Sequence, residues 1–156
     1  MIRSMVMIVF IVILSIHSYS EDATRVTWEM MKAFNFETGE IPDSLQQYDN
    51  QIIEIAGFIV PLEMDEYLDK VTEFFLVPDP MACIHVPPPP PNQMIYVKMA
   101  ESIPLDMDYR GIAITGTLTI PDTTDGNAFF GFEIDGISAK EEEVYYEDPL
   151  YELFLD

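Results

Sequence analysis

Seven prolines fall within fourteen residues, at Pro78, Pro80 and Pro87 through Pro91. Each fixes its own φ and lacks a backbone N–H, so neither a helix nor an interior strand can run through this stretch. The five consecutive prolines favour polyproline II, which is extended, has no internal hydrogen bonds and loses little entropy when fixed in place. Any fold must therefore break here and carry the stretch as a stiff, projecting connection.

Both flanks of that connection read as β-structure. From Gln51 the segment IIEIAGFIVPL is rich in Ile and alternates apolar with polar or small residues, with Gly57 placed for a bend or bulge. Four further strands are expected at Thr72–Val77, Met94–Met99, Gly111–Ile120 and Phe129–Ala139. PDTTDGN at Pro121 to Asn127 is turn chemistry and joins the last two as a hairpin. Five strands with glycines inside them, at Gly57 and Gly116, suggest a small five-stranded, OB-like β-barrel. A small β-sandwich accommodates the same strand count.

Ahead of the barrel, Thr27 to Asn35 starts with a good N-cap and predicts a short helix with Trp28 and Met31 on one face. Gly39, Pro42 and Asp43 make residues 37–48 a loop with one helical turn near Ser44 to Tyr48. The expected organisation is a leader at 1–20, a helix and loop at 21–50, the mainly β domain at 51–140, and an acidic aromatic tail at 141–156. The tail either packs its aromatics on the domain or serves as a docking peptide.

The leader follows from Arg3 and the continuous apolar run Met5 to Ile16, with Ser18 and Ser20 as the small residues before a cleavage site. A dozen apolar residues are too few for a bilayer, which takes about 20. The expected location is periplasmic or secreted, with no membrane span after cleavage. Loss of Arg3 with the leader leaves six basic residues against 28 acidic ones. Such a surface repels nucleic acid, favours solubility and attracts cations.

Export makes the one cysteine conspicuous, because exported domains use cysteines in disulfide pairs and Cys83 has no second thiol. His17 leaves with the leader, so His85 is the remaining histidine, two residues from Cys83. In extended backbone, residues i and i+2 face the same side, which suits a shared metal. Thiolate and imidazole favour zinc or copper, and a thioether from Met81 or Met94 shifts the preference toward monovalent copper. A closed structural zinc site takes four ligands, so this shortage points to an open or exchangeable site.

Two other readings stand beside the metal site. Cys83 and His85 can be structural, organising a loop formed by Pro87, Pro88, Pro89, Pro90, Pro91, Asn92 and Gln93. Alternatively, His85 lowers the pKa of Cys83 for nucleophilic work. Acyl transfer also needs an orienting third group and an oxyanion hole, which no motif supplies, so the expectation is a protein that is not an enzyme. The proline run could also serve an aromatic groove on a partner, although its place between two strands suits an intramolecular wall better.

Trp28, the phrase IEIAGFIVPL at 53–62, FFLVP at 74–78 and above all ACIHVPPPPPNQ at 82–93 resemble a family of exported bacterial proteins designated domain of unknown function 3299. The resemblance covers most of residues 27–120. It implies no assigned enzymatic activity and an accessory role in envelope or exported-metal transport. The expectation is an exported accessory protein that binds zinc or copper at Cys83-x-His85, with Met81 nearby, for an envelope or transport partner. The alternative is a non-catalytic interaction or scaffold protein in which the same loop is structural.

Overall fold

The computed structural model describes residues 23–62, 69–81, 89–105, 111–121 and 130–144. The elements are β1 (Thr24–Arg25), α1 (Trp28–Met31), α2 (Asp43–Gln46), β2 (Ile52–Pro61), β3 (Lys70–Val77), a 3₁₀ turn (Pro91–Gln93), β4 (Ile95–Pro104), β5 (Ile112–Thr119) and β6 (Phe132–Glu141). The strands follow the order β1-β2-β3-β4-β6-β5, and β2 also pairs with β5. That last pairing closes β2 through β6 into a five-stranded barrel. All neighbours in the barrel are antiparallel except β4 and β6, which are parallel.

The two glycines sit where the barrel needs them. β2 pairs with β5 from Ile52 to Gly57 and with β3 from Phe58 to Pro61, so Gly57 is where the strand changes neighbour. A Cβ at Gly57 would lie 2.6 Å from the Val77 carbonyl oxygen, closer than packed atoms approach, and a tight 3.2 Å from the Trp28 ring. At Gly116 the β5–β6 register shifts, a bulge that bends the strand around the barrel. The expected hairpin between β5 and β6 is present as an antiparallel pair, and its turn residues 122–129 lie outside the described residues.

Ile53, Ile55, Phe74, Leu76, Ile95, Val97, Ile112, Ile114, Leu118, Phe132 and Ile134 fill the barrel at no more than 1% exposure. Val26, Met31, Phe34 and Leu45 join the same cluster. The N-terminal segment is therefore part of the barrel core. Each such side chain contributes roughly 1.5–3 kcal/mol through burial, which explains how two four-residue helices persist without length or strong capping. The Thr27 hydroxyl accepts from Met30 N at 3.4 Å as the expected N-cap, but α1 ends at Met31 and gives way to hydrogen-bonded turns through Phe34. β4 also runs five residues beyond its expected end at Met99, to Pro104, because Val71 and Ile103 pair beyond an irregularity in the β3–β4 register that skips residues 99–102.

No helix among the described residues is long and apolar enough to cross a membrane. The leader expected at residues 1–20 lies outside the described residues.

Candidate functional site

The proline connection joins two strands whose ends are fixed against each other. Leu76 of β3 is paired with Ile95 of β4, so residues 78–94 leave and re-enter the barrel at one place. On the leaving side Pro78, Asp79 and Pro80 are half-buried, and the Asp79 carboxylate accepts from Met81 N at 2.8 Å. Beyond that turn the Met81 side chain stands in solvent, 62% exposed.

The returning side is fastened more heavily. Pro90 keeps φ −61 and ψ 152, polyproline II geometry, and the chain then tightens into the 3₁₀ turn. Gln93 N donates to the Pro90 carbonyl at 2.8 Å, and Met94 N to that of Pro91 at 3.1 Å. The Pro91 carbonyl also accepts from Gly131 N, at the start of β6, at 2.8 Å. Gly131 has to be glycine for this approach, since a Cβ there would lie 2.6 Å from the Pro91 oxygen.

Asn92 ties the same turn to the N-terminal segment. Its Nδ2 donates to the Lys32 carbonyl at 3.2 Å and to the Phe34 carbonyl at 3.0 Å. These carbonyls end the turn after α1, where backbone acceptors lack helical partners, so a side-chain amide supplies what the helix cannot. Asn92 Oδ1 is buried and has no hydrogen-bond partner among the described residues. Beneath this knot Phe34 meets Phe132 edge to face at 5.6 Å.

Of the expected site residues, Met81, Pro89, Pro90, Pro91, Asn92 and Gln93 are thus placed, whereas Cys83, His85, Pro87 and Pro88 lie outside the described residues. Met94, the second thioether considered for a metal, is only 5% exposed and packs with Phe58 and Val77 in an apolar cluster. Between the two thioethers, Met81 is the one at solvent. Among the described residues no three His, Cys, Asp or Glu side chains gather to hold a metal.

A second constellation had no motif or spacing signal in the sequence. Arg25 pairs with Glu54 at 3.3 Å and with Glu142, while Lys140 pairs with Glu54 at 2.7 Å and approaches Glu142 at 3.9 Å. The four charges alternate in a ring across β1, β2 and the end of β6. The Glu142 hydrogen bond holds the Arg25 guanidinium above its usual range, burial opposes that, and the charges of Glu142 and Glu54 add to it. Beside the ring is a cavity of about 210 Å³ lined by Val26, Trp28, Ala56 and Val144 among others. The Trp28 indole N–H donates to the Ala56 carbonyl at 2.6 Å. Scarcity was the available hint, since Arg25 and Lys140 are two of only seven basic residues.

On the β3–β4 wall, the Tyr96 hydroxyl donates to Glu73 Oε2 at 2.8 Å, which raises its pKa above the ordinary phenol value, with burial and the charges of Glu73 and Glu133 acting the same way.

The family model described as protein of unknown function (DUF3299) matches residues 15–141. The crystal structure of a DUF3299 family protein from Pseudomonas aeruginosa PAO1 is similar, with 27% sequence identity and a TM-score of 0.57, over 81% of this chain and 99% of that one. A chain designated an aspartyl-tRNA synthetase, from Leishmania major Friedlin, shares 8% identity over 86% of this chain and 23% of its own, with a TM-score of 0.39. No curated protein matches the chain significantly. A family match over most of the sequence, joined to a neighbour of the same family, leads to one conclusion: the chain belongs to the DUF3299 family.

Proposed function

We propose that the chain is an exported, non-catalytic barrel module that holds a zinc or copper ion through Cys83 and His85 for an envelope or transport partner. The carrying observation is the rooted proline connection, which leaves the barrel at Val77 and is refastened by Pro91, Asn92 and Gly131. A connection with fixed ends limits the conformations of what it carries, and that lowers the entropy lost on binding a ligand. The exposed Met81 thioether makes a third donor, soft enough to favour monovalent copper. Three protein donors leave a position open for exchange with a partner.

The five-stranded, mostly antiparallel barrel with one parallel pair supports an OB-type reading of the fold. The excess of 28 acidic over seven basic residues argues against the nucleic acid ligands of many such barrels. Export to the periplasm or beyond, directed by residues 1–20, puts Cys83 where an unpaired thiol needs protection by burial or by a metal.

The test is titration of the mature protein with zinc or monovalent copper. Cys83→Ser and His85→Ala each lose about tenfold or more in affinity if both residues are ligands. Wild-type affinity in both variants ends the metal reading.

The second reading, an interaction scaffold with a purely structural loop, is favoured by one observation. Asn92 and Pro91 fasten α1 to β6, so the loop already braces the fold. On that reading Cys83→Ser lowers the melting temperature and leaves metal content unchanged.

A further inference from the structure

The cavity beside the ionic ring combines apolar walls with a charged mouth. Val26, Ala56 and Val144 supply aliphatic wall, and Trp28 supplies aromatic wall. Arg25, Glu142 and Glu143 supply the charge. Arg25 and Glu143 are exposed whereas Val26 is buried, so the charge lies toward solvent. The volume of about 210 Å³ exceeds the ~150 Å³ that takes up a benzene-sized molecule. Sites for small molecules share this make-up, mostly apolar with a few polar groups that fix orientation.

The walls are held in place by the fold. Val26 N donates to the Glu54 carbonyl at 2.9 Å, and the Trp28 indole N–H donates to the Ala56 carbonyl at 2.6 Å. Glu142 N donates to the Gly111 carbonyl at 3.0 Å, and Val144 packs on the cluster of Phe58, Val77 and Met94. Such pre-organisation lowers the cost of binding. Because its N–H is already bonded, Trp28 offers a ligand its π surface, which attracts apolar groups and cations.

The ionic ring leaves one charge over. Arg25 and Lys140 are paired with Glu54 and Glu142. Glu143 has no hydrogen bond or ion pair among the described residues. An anion entering the cavity meets Glu143 and finds the Arg25 guanidinium engaged by two carboxylates. A bare metal ion finds one free carboxylate among apolar walls, far short of the oxygen ligands it needs. A cation on an apolar body meets Glu143 and Trp28 together, and the excess of 28 acidic over seven basic residues draws it toward the protein.

We propose that this cavity binds a small organic cation, an amine or quaternary ammonium group carried on a benzene-sized apolar body, with Trp28 as its aromatic wall and Glu143 as its counter-charge. The site uses no residue of the proline connection, so it stands or falls independently of metal binding there.

Trp28 is the one tryptophan of the chain, so its fluorescence reports on the cavity directly. Benzylammonium, benzyl alcohol and benzoate have nearly one shape and three different charges. In titrations of the wild-type protein at neutral pH, benzylammonium shifts the Trp28 emission saturably. It binds about threefold or more tighter than benzyl alcohol, and benzoate binds most weakly. Glu143→Gln weakens benzylammonium about threefold and leaves benzyl alcohol unchanged. Glu101→Gln, which neutralises an exposed carboxylate on β4, changes neither. The proposal is overturned by the absence of a saturable shift with benzylammonium, by equal affinity for the three probes, by a preference for benzoate, or by an equal loss in Glu101→Gln.

Discussion

The N-terminal segment is fastened to the barrel at two places, and the two fastenings use opposite chemistry. At Arg25 the hold is ionic: two cations and two carboxylates from β1, β2 and β6, with the cations more than half exposed. At Lys32 to Phe34 the hold is neutral, made by the Asn92 amide, the Pro91 carbonyl and a phenylalanine pair in the core. Exposed ion pairs contribute about 0–1 kcal/mol and weaken in salt. Buried apolar contacts contribute several times more and do not. The chain thus places its durable anchor at the root of the proline connection, and a screenable one at β1.

Three substitutions probe that contrast. Phe34→Ala has the largest expected effect, about 3–5 kcal/mol of unfolding free energy, because it empties a fully buried site under the loop root. Urea denaturation measures it, and a loss below about 1 kcal/mol would show that the root is not core-anchored. Asn92→Ala follows, at about 1–3 kcal/mol, since the Lys32 and Phe34 carbonyls lose their donor. This loss stays the same in low and high salt if the fastening is neutral, and a salt-dependent loss contradicts the comparison.

Arg25→Met has the smallest expected effect, about 0.5–1 kcal/mol at low ionic strength. It keeps the aliphatic packing and removes the charge. In about 1 M salt, where the screening length is about 3 Å, the difference from wild type shrinks toward zero. Persistence of the full difference would mean that the Arg25 contribution is not carried by screenable charge, against the ionic side of the comparison.

These two fastenings also show how unevenly the molecule can be read from its residues. The loop root was partly legible, because Asn92 and Gln93 directly follow five prolines and a polar pair there has a turn to close. Which carbonyls Asn92 reaches was not legible, since Lys32 and Phe34 lie about 60 positions away. The ionic ring gave no local signal, as Arg25 and Glu142 are 117 positions apart. Spacing rules cover helix turns and strand neighbours, not pairs assembled across a barrel. β1 escaped notice because two residues carry no period, and its pairing with β2 is a purely tertiary fact.

The sequence by itself determined the five strands of the barrel, the bend at Gly57, a glycine inside the strand at Gly116 and the break at the prolines. Each follows from side-chain period, a missing Cβ or a missing N–H, all of them local properties. Tertiary structure alone decided that β4 and β6 run parallel, that β2 closes the barrel on β5, and that Phe34 and Leu45 belong to the barrel core. Those choices depend on which distant surfaces exclude water together, and burial is a property of the assembled chain rather than of any stretch of it.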